Sequence, residues 1–310
     1  MTIEELKKQV DDTHILPLTN DIIFKYVFIN NKTVLVKMLK DIFKDEMMKI
    51  DMDKFDVSSG YETIPSMVDG KLYRGDIYVK MSDYSYALIE MNNMSDPSIL
   101  ERNLVNLVRI QNQVLKQGTE DQVLKYYRLK GLNLNNFNDG TLSPVKKSAI
   151  CDIETGEVDS SIYEICNIYL EKCRKLVYDR DVRELPKEIR WGAILIENDI
   201  EVISKTLGED MLSMEEKENL LNTMKEVSNN EGIYTEYLAR EFSKLKEVNQ
   251  LYHAREEGHK LGQAEGASSK ELEVIKNMLK KSIDYSTISE VTGKTIEEIK
   301  EIENILVDEE

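Results

Sequence analysis

The sequence is short of the residues that bind zinc. It has three cysteines, Cys151, Cys166 and Cys173, and none forms a CxxC pair. Its three histidines, His14, His253 and His259, are not at ligand spacing either, so the sequence gives no support for a zinc site. Cys166 and Cys173 instead fall in a helical pattern with Ile162, Tyr169 and Leu176. That pattern predicts one buried helix over about 160–178, with both thiols in the core. An apolar run of the ~20 residues needed to cross a bilayer is also missing. The opening Met1-Thr2-Ile3-Glu4-Glu5-Leu6-Lys7-Lys8 has no signal-peptide pattern. The expectation is a cytoplasmic protein without membrane contact or nucleotide cofactor. Basic residues are outnumbered, 41 against 58, for a net charge of −17. Broad coating of nucleic acid is excluded by that balance; a nuclease with a local basic groove is not. Acids, in turn, are absent from residues 22–40, which carry Lys25, Lys32, Lys37 and Lys40.

What is present centres on residues 74–93. Two β-rich runs, 76–80 and 86–92, flank a polar turn around Asp83 and predict a hairpin. With Asp83 at the centre, residues whose numbers sum to 166 oppose each other, so Asp76 faces Glu90. Cross-strand Cβ atoms lie roughly 5 Å apart on one face. Ile77, Val79, Ala87, Ile89 and Met91 point to one side; Asp76, Tyr78, Lys80, Glu90 and Asn92 point to the other, with Leu88 as the exception. Two opposed carboxylates suit a hard divalent cation such as Mg²⁺, which takes carboxylate and water oxygens and can activate water against a phosphodiester. A solvated face on an edge hairpin is the other reading of the same pattern.

Upstream, Thr19 or Asn20 can cap a helix bearing Ile23, Phe24, Val27 and Phe28, and a second helix follows with Val34, Leu35, Met38, Leu39, Ile42 and Phe43. Asp21 lies in the first turn, where the helix dipole favours a negative charge, and can also pair with Lys25 one turn on. Residues 50–73 read as acidic and irregular, with a short strand near 62–68. After the hairpin, a helix is predicted over 99–117, with Leu100, Leu104, Leu107, Val108, Gln111, Val114 and Leu115 inward and Gly118 at its end. Residues 122–133 read as β, 133–141 as an Asn- and Gly-rich loop, and 145–158 as a strand or hairpin turning at Glu154-Thr155-Gly156. This order describes a sheet with helices on its faces. From Pro186 on, the pattern is helical. Gly258, Gly262 and Gly266 mark either a close helix approach or a flexible linker. The tail, 270–306, predicts three short helices, the last opened by a Thr295/Glu298 capping box. Its spacing is that of a helix-turn-helix, but Glu297, Glu298, Glu301 and Glu303 suit protein contact better than phosphate.

Leu18-Thr19-Asn20-Asp21-Ile22-Ile23-Phe24-Lys25-Tyr26-Val27-Phe28, then Gly75-Asp76-Ile77-Tyr78-Val79 with Ile89-Glu90-Met91-Asn92, resembles the recombination-promoting nuclease/putative transposase family. That family is a branch of the PD-(D/E)xK nucleases. The segments 257–266 and 291–299 are similar to its C-terminal region. The resemblance implies an α/β fold: a restriction-endonuclease-like core, a mixed sheet flanked by helices, followed by an all-helical C-terminal region. It implies an N-terminal arm at 1–13, a nuclease core at 14–180, a helical region packing on it at 181–256, and a Gly-spaced linker with a three-helix module at 257–310. It implies DNA cleavage with Mg²⁺ or Mn²⁺. Asp76, Glu90 and the Met91 carbonyl would hold the metal, assisted by Asp21. On the nuclease reading, and not from the resemblance itself, Lys25, Lys32 and Arg102 would contact phosphates as local counter-charge to the acidic chain, and the C-terminal helices would make a homodimer. Asn92 stands where the family has Gln or Lys, so a diverged scaffold acting as a binding, assembly or inhibitory protein is the alternative.

Overall fold

The computed structural model describes residues 13–44, 50–53, 55–59, 77–82, 85–92, 98–114, 128–137, 140 and 142–308. The chain divides into two compact units, 1–239 and 240–310.

The first unit is built on a mixed sheet. Helix α1 (Asp21–Asn30) is capped by Asn20, whose side chain accepts from the Ile22 amide, and α2 (Lys32–Phe43) follows. Both bury the predicted apolar faces. Strand β1 (Asp56–Ser59) lies in the stretch read as irregular; the strand expected near 62–68 lies outside the described residues. Strands β2 (Ile77–Ser82) and β3 (Ser85–Asn92) form the hairpin. Helix α3 (Ile99–Val114) leads to β4 (Arg128–Asn135), β5 (Val145–Cys151) and β6 (Val158–Tyr169). Among the described residues the sheet has six strands in the order β1-β2-β3-β4-β6-β5. The β3–β4 and β4–β6 pairs are parallel and the rest antiparallel.

The hairpin register is the one read from the sequence. Ile77 pairs Ile89, Tyr78 pairs Leu88, Val79 pairs Ala87 and Lys80 pairs Tyr86, before an irregularity brings Ser82 opposite Ser85. Asp76 lies outside the described residues.

Four sequence expectations are corrected. The helix expected over 160–178 is half strand: β6 runs to Tyr169, and only α4 (Leu170–Asp179) is helical. The apolar residues of β6 meet protein on both faces, so the period-2 signal is blurred, as in parallel sheets generally. Asn135, expected in a loop, and Asn133, expected where the β run gives way to that loop, both lie within β4. On α3, Leu104, Val105 and Val108 are exposed, while Ile99, Asn103, Asn106 and Leu107 are buried. The helix is therefore rotated from the face its leucines suggested, because the sheet surface beneath it is itself partly polar. The continuous helical pattern read from Pro186 is interrupted between α5 (Lys187–Ile196) and α6 (Ile200–Thr206), where Asp199 caps the second helix.

On the other side of the sheet, one core joins α1, α2, α4, α5, α6 and α7 (Met214–Asn229) to Ile77, Val79, Ile89, Leu132, Cys166 and Ile168. Helix α5 comes close to β6 and α4 at Gly192. A Cβ there would stand 2.7 Å from Ile168 Cγ2 and 2.8 Å from Cys173 Sγ. Cys166 and Cys173 are buried as expected, and burial pushes both thiols up to about 12; Cys151 is exposed.

Helix α8 (Glu231–Lys280) extends across the unit boundary at 239/240. It is continuous through Gly258, Gly262 and Gly266, and a Cβ at any of the three would meet nothing within 4 Å. In the second unit, Ile275, Ile288 and Ile299 from α8, α9 (Tyr285–Thr292) and α10 (Ile296–Asp308) form a small core. Gly293 takes φ +74° between α9 and α10, and Thr295 and Glu298 make the predicted reciprocal capping bonds. Among the described residues no helix is long and apolar enough to cross a membrane.

Candidate active site

The α3 side of the sheet is ordered in rows across β3, β4 and β6, three parallel strands. The first row is apolar: Leu88, Gly131 and Ile165. It belongs to a cluster of Tyr78, Tyr86, Leu88, Leu107 and Leu129 under α3. Leu88 is thus no exception on its face but part of a second core. One step toward the strands' carboxyl ends, the row becomes Glu90, Asn133 and Asn167; the next is Asn92, Asn135 and Tyr169. Side chains that break an apolar pattern at the carboxyl ends of parallel strands stand where α/β sheets place ligand chemistry.

These polar groups are buried and joined by amides. Glu90 is 7% exposed and Asn92 6%, which excludes a solvated hairpin face. Asn106 Nδ2 on α3 donates to Glu90 Oε1 over 3.4 Å. One turn earlier, Asn103 Nδ2 donates to Asn133 Oδ1, and Asn133 Nδ2 donates to Asn167 Oδ1, each at 2.9 Å. Asn92 Nδ2 donates to Asn135 Oδ1 at 2.9 Å, and the Asn92 carbonyl accepts from the Asn136 amide at 2.7 Å. An asparagine both donates and accepts, so a row of them links buried positions without adding charge. Asn103 Oδ1 is buried with no hydrogen-bond partner among the described residues.

The sequence-predicted residues are distributed as follows. Glu90, Met91 and Asn92 end β3. Asp21 opens α1, whose apolar face belongs to the large core on the opposite side of the sheet from Glu90. Lys25 is half-buried on the same helix. The Lys32 ammonium donates to the Phe55 carbonyl at 3.3 Å, so a phosphate would share that head group. Arg102 is exposed on α3, next to Asn103. Asn103, Asn106, Asn133, Asn135 and Asn167 were not foreseen. The signal was there in Asn133-Leu134-Asn135 and in Asn167 beside Ile165 and Ile168, but asparagine is a turn former and depleted in strands.

A buried lysine does exist nearby in sequence. Lys130 pairs with Glu164 at 2.6 Å and lies 5.4 Å from the Phe43 ring centroid. It alternates with Leu132 and Leu134 toward the large core, so it points away from Glu90 and cannot substitute for a lysine at position 92.

The donor set fits a hard cation. A carboxylate, backbone carbonyl and amide oxygens are ligands that suit Mg²⁺ or Mn²⁺ and not a soft metal, and the layer holds a buried oxygen still short of a partner. Among the described residues no three of His, Cys, Asp and Glu gather in one place, so such a cation would rely on Glu90, on Asp76 from beyond them, and on neutral oxygens. The family model described as PD-(D/E)XK nuclease family transposase matches residues 18–254. No curated protein and no solved structure matches the chain.

Proposed function

We propose, from the premise that the chain belongs to the PD-(D/E)XK nuclease family transposases, that it is a metal-dependent DNA endonuclease. The observation that carries the reading is Glu90, a carboxylate buried at the carboxyl end of a parallel strand and held by an amide from α3. The described register, with Ile77 opposite Ile89, is the one that would set Asp76 across from Glu90. Asp76, Glu90 and the Met91 carbonyl would hold Mg²⁺ or Mn²⁺, with Asp21 assisting from α1. When bound, the cation supplies polarisation of the scissile phosphate and an acidified water. The protein's own part is to hold Glu90 through Asn106, to orient Asn92 through Asn135, and to offer Lys25, Lys32 and Arg102 to the phosphates. The reading includes a mobile-element, recombination or phage-defence setting. It also includes a homodimer through the C-terminal helices, since two copies suffice for two strands; sedimentation of the full chain measures this, and a monomer at micromolar concentration overturns it.

Plasmid nicking with Mg²⁺ or Mn²⁺ tests the activity. In the same assay Asn92→Lys is expected to raise the rate, by up to about 10²-fold, because the third motif position acts on the water. Metal affinity should stay nearly unchanged. An inert parent and an inert Asn92→Lys would favour the second reading, a scaffold that binds without cutting. The tie between Asn92 and Asn135 supports that alternative, since it commits a neutral side chain to a structural bond.

A further inference from the structure

We propose that Asn103 is a further member of the metal site, its side-chain oxygen accepting hydrogen bonds from the cation's hydration shell; this rests on the metal-site reading of Glu90 given above. Buried side-chain acceptors without a donor are rare in folded proteins, and Asn103 Oδ1 is one among the described residues. The orientation of the amide is set by its other end. Its Nδ2 donates to Asn133 Oδ1, and Asn133 passes the same sense of donation on to Asn167. Turning Asn103 over would set two acceptors against each other unless the whole row turned.

The position of that oxygen is fixed from two sides. Asn133, its partner, is directly in register with Glu90. Asn106, three residues along α3, is the residue that donates to Glu90, and residues three apart on a helix are surface neighbours. An amide oxygen and a carboxylate thus share one buried layer, both acceptors. The carboxylate already has a donor in Asn106; the amide oxygen has none among the described residues. Hydrated Mg²⁺ or Mn²⁺ keeps several waters, each with hydrogens to give, and groups that hold a metal's surroundings from outside the ligand set tune its affinity by about 10- to 100-fold. A lone water would satisfy the oxygen as well, but it would leave metal affinity indifferent to Asn103.

Calorimetric titration of the full chain with Mn²⁺ separates these cases without reference to cleavage. Asn103→Leu is expected to weaken Mn²⁺ binding by about 10-fold, and Asn103→Asp, which adds a full negative charge there while the Asn133 and Asn167 amides turn over to donate to its second oxygen, to tighten it. If both variants bind Mn²⁺ as the parent does while Glu90→Gln loses binding, Asn103 is only structural and the metal reading stands. If the parent and Glu90→Gln alike fail to bind Mn²⁺, both ideas fall together. Should Asn103→Leu fail to fold, Asn103→Asp decides by itself: tighter binding supports the assignment, and equal or weaker binding overturns it.

Discussion

Glu90→Gln is expected to lower metal-dependent plasmid nicking by at least about 10³-fold, while the protein remains folded. The magnitude follows from losing roughly 4 kcal/mol of transition-state stabilisation with the bound cation, at 1.36 kcal/mol per factor of ten. The retention of fold follows from the geometry. Gln has the same shape as Glu, and its Oε1 can still accept from Asn106 Nδ2. Removing a charge that is 7% exposed also relieves a desolvation cost, so the melting temperature should hold or rise. A loss of activity with lower stability would point to misfolding instead. Undiminished nicking by Glu90→Gln would remove the carboxylate from the mechanism.

The largest stability effect is expected on the opposite face, at the ion pair of Lys130 and Glu164. The Lys130 side chain is 1% exposed and that of Glu164 20%. Removing the acid by Glu164→Ala leaves an ammonium in the core with a nearby aromatic ring as partial compensation. Breaking such a pair from one side costs about 3–5 kcal/mol; the partial exposure of Glu164 places this case near the lower end. The double variant Lys130→Met with Glu164→Leu removes the charge problem and should recover most of the loss. Urea denaturation of the three proteins measures it. A single variant as stable as the parent would mean that the pair contributes nothing. Because Lys130 faces away from Glu90, Lys130→Met should leave Mn²⁺ affinity where it was.

Most of the fold was legible where one face of an element differs from the other. The hairpin register could be read from residue numbers alone, because Ile77, Val79, Ala87 and Ile89 alternate with larger or polar side chains and a slip by one would invert every one of them. Helices α1 and α2 were legible for the same reason. Legibility failed where elements are covered on both faces. Strand β6 has apolar residues on either side, so Ile162, Cys166 and Tyr169 matched a helical period by accident of spacing. Helix α3 misled in the other direction: its leucines suggested the buried side, but the surface it covers carries Glu90 and Asn133, and asparagines match that surface better than Leu104 does. The amide row was hidden by local propensity. Asparagine favours turns because its side chain competes for backbone bonds; in this sheet those bonds run between strands, a fact that only tertiary pairing reveals.

The three strands that carry the polar rows follow one another through long excursions of the chain. Asn92 and Asn135 bond across 43 residues, Asn133 and Asn167 across 34, and Asn103 and Asn133 across 30. Closing such loops costs entropy before any contact returns it, so non-local, parallel pairings form slowly. On a ribosome, Glu90 emerges well before Asn133 and Asn167 do. A chain interrupted before β6 therefore carries the motif carboxylate but lacks the row that rigidifies it. The order of synthesis itself leaves the layer around Glu90 incomplete until the last of the three strands has been made.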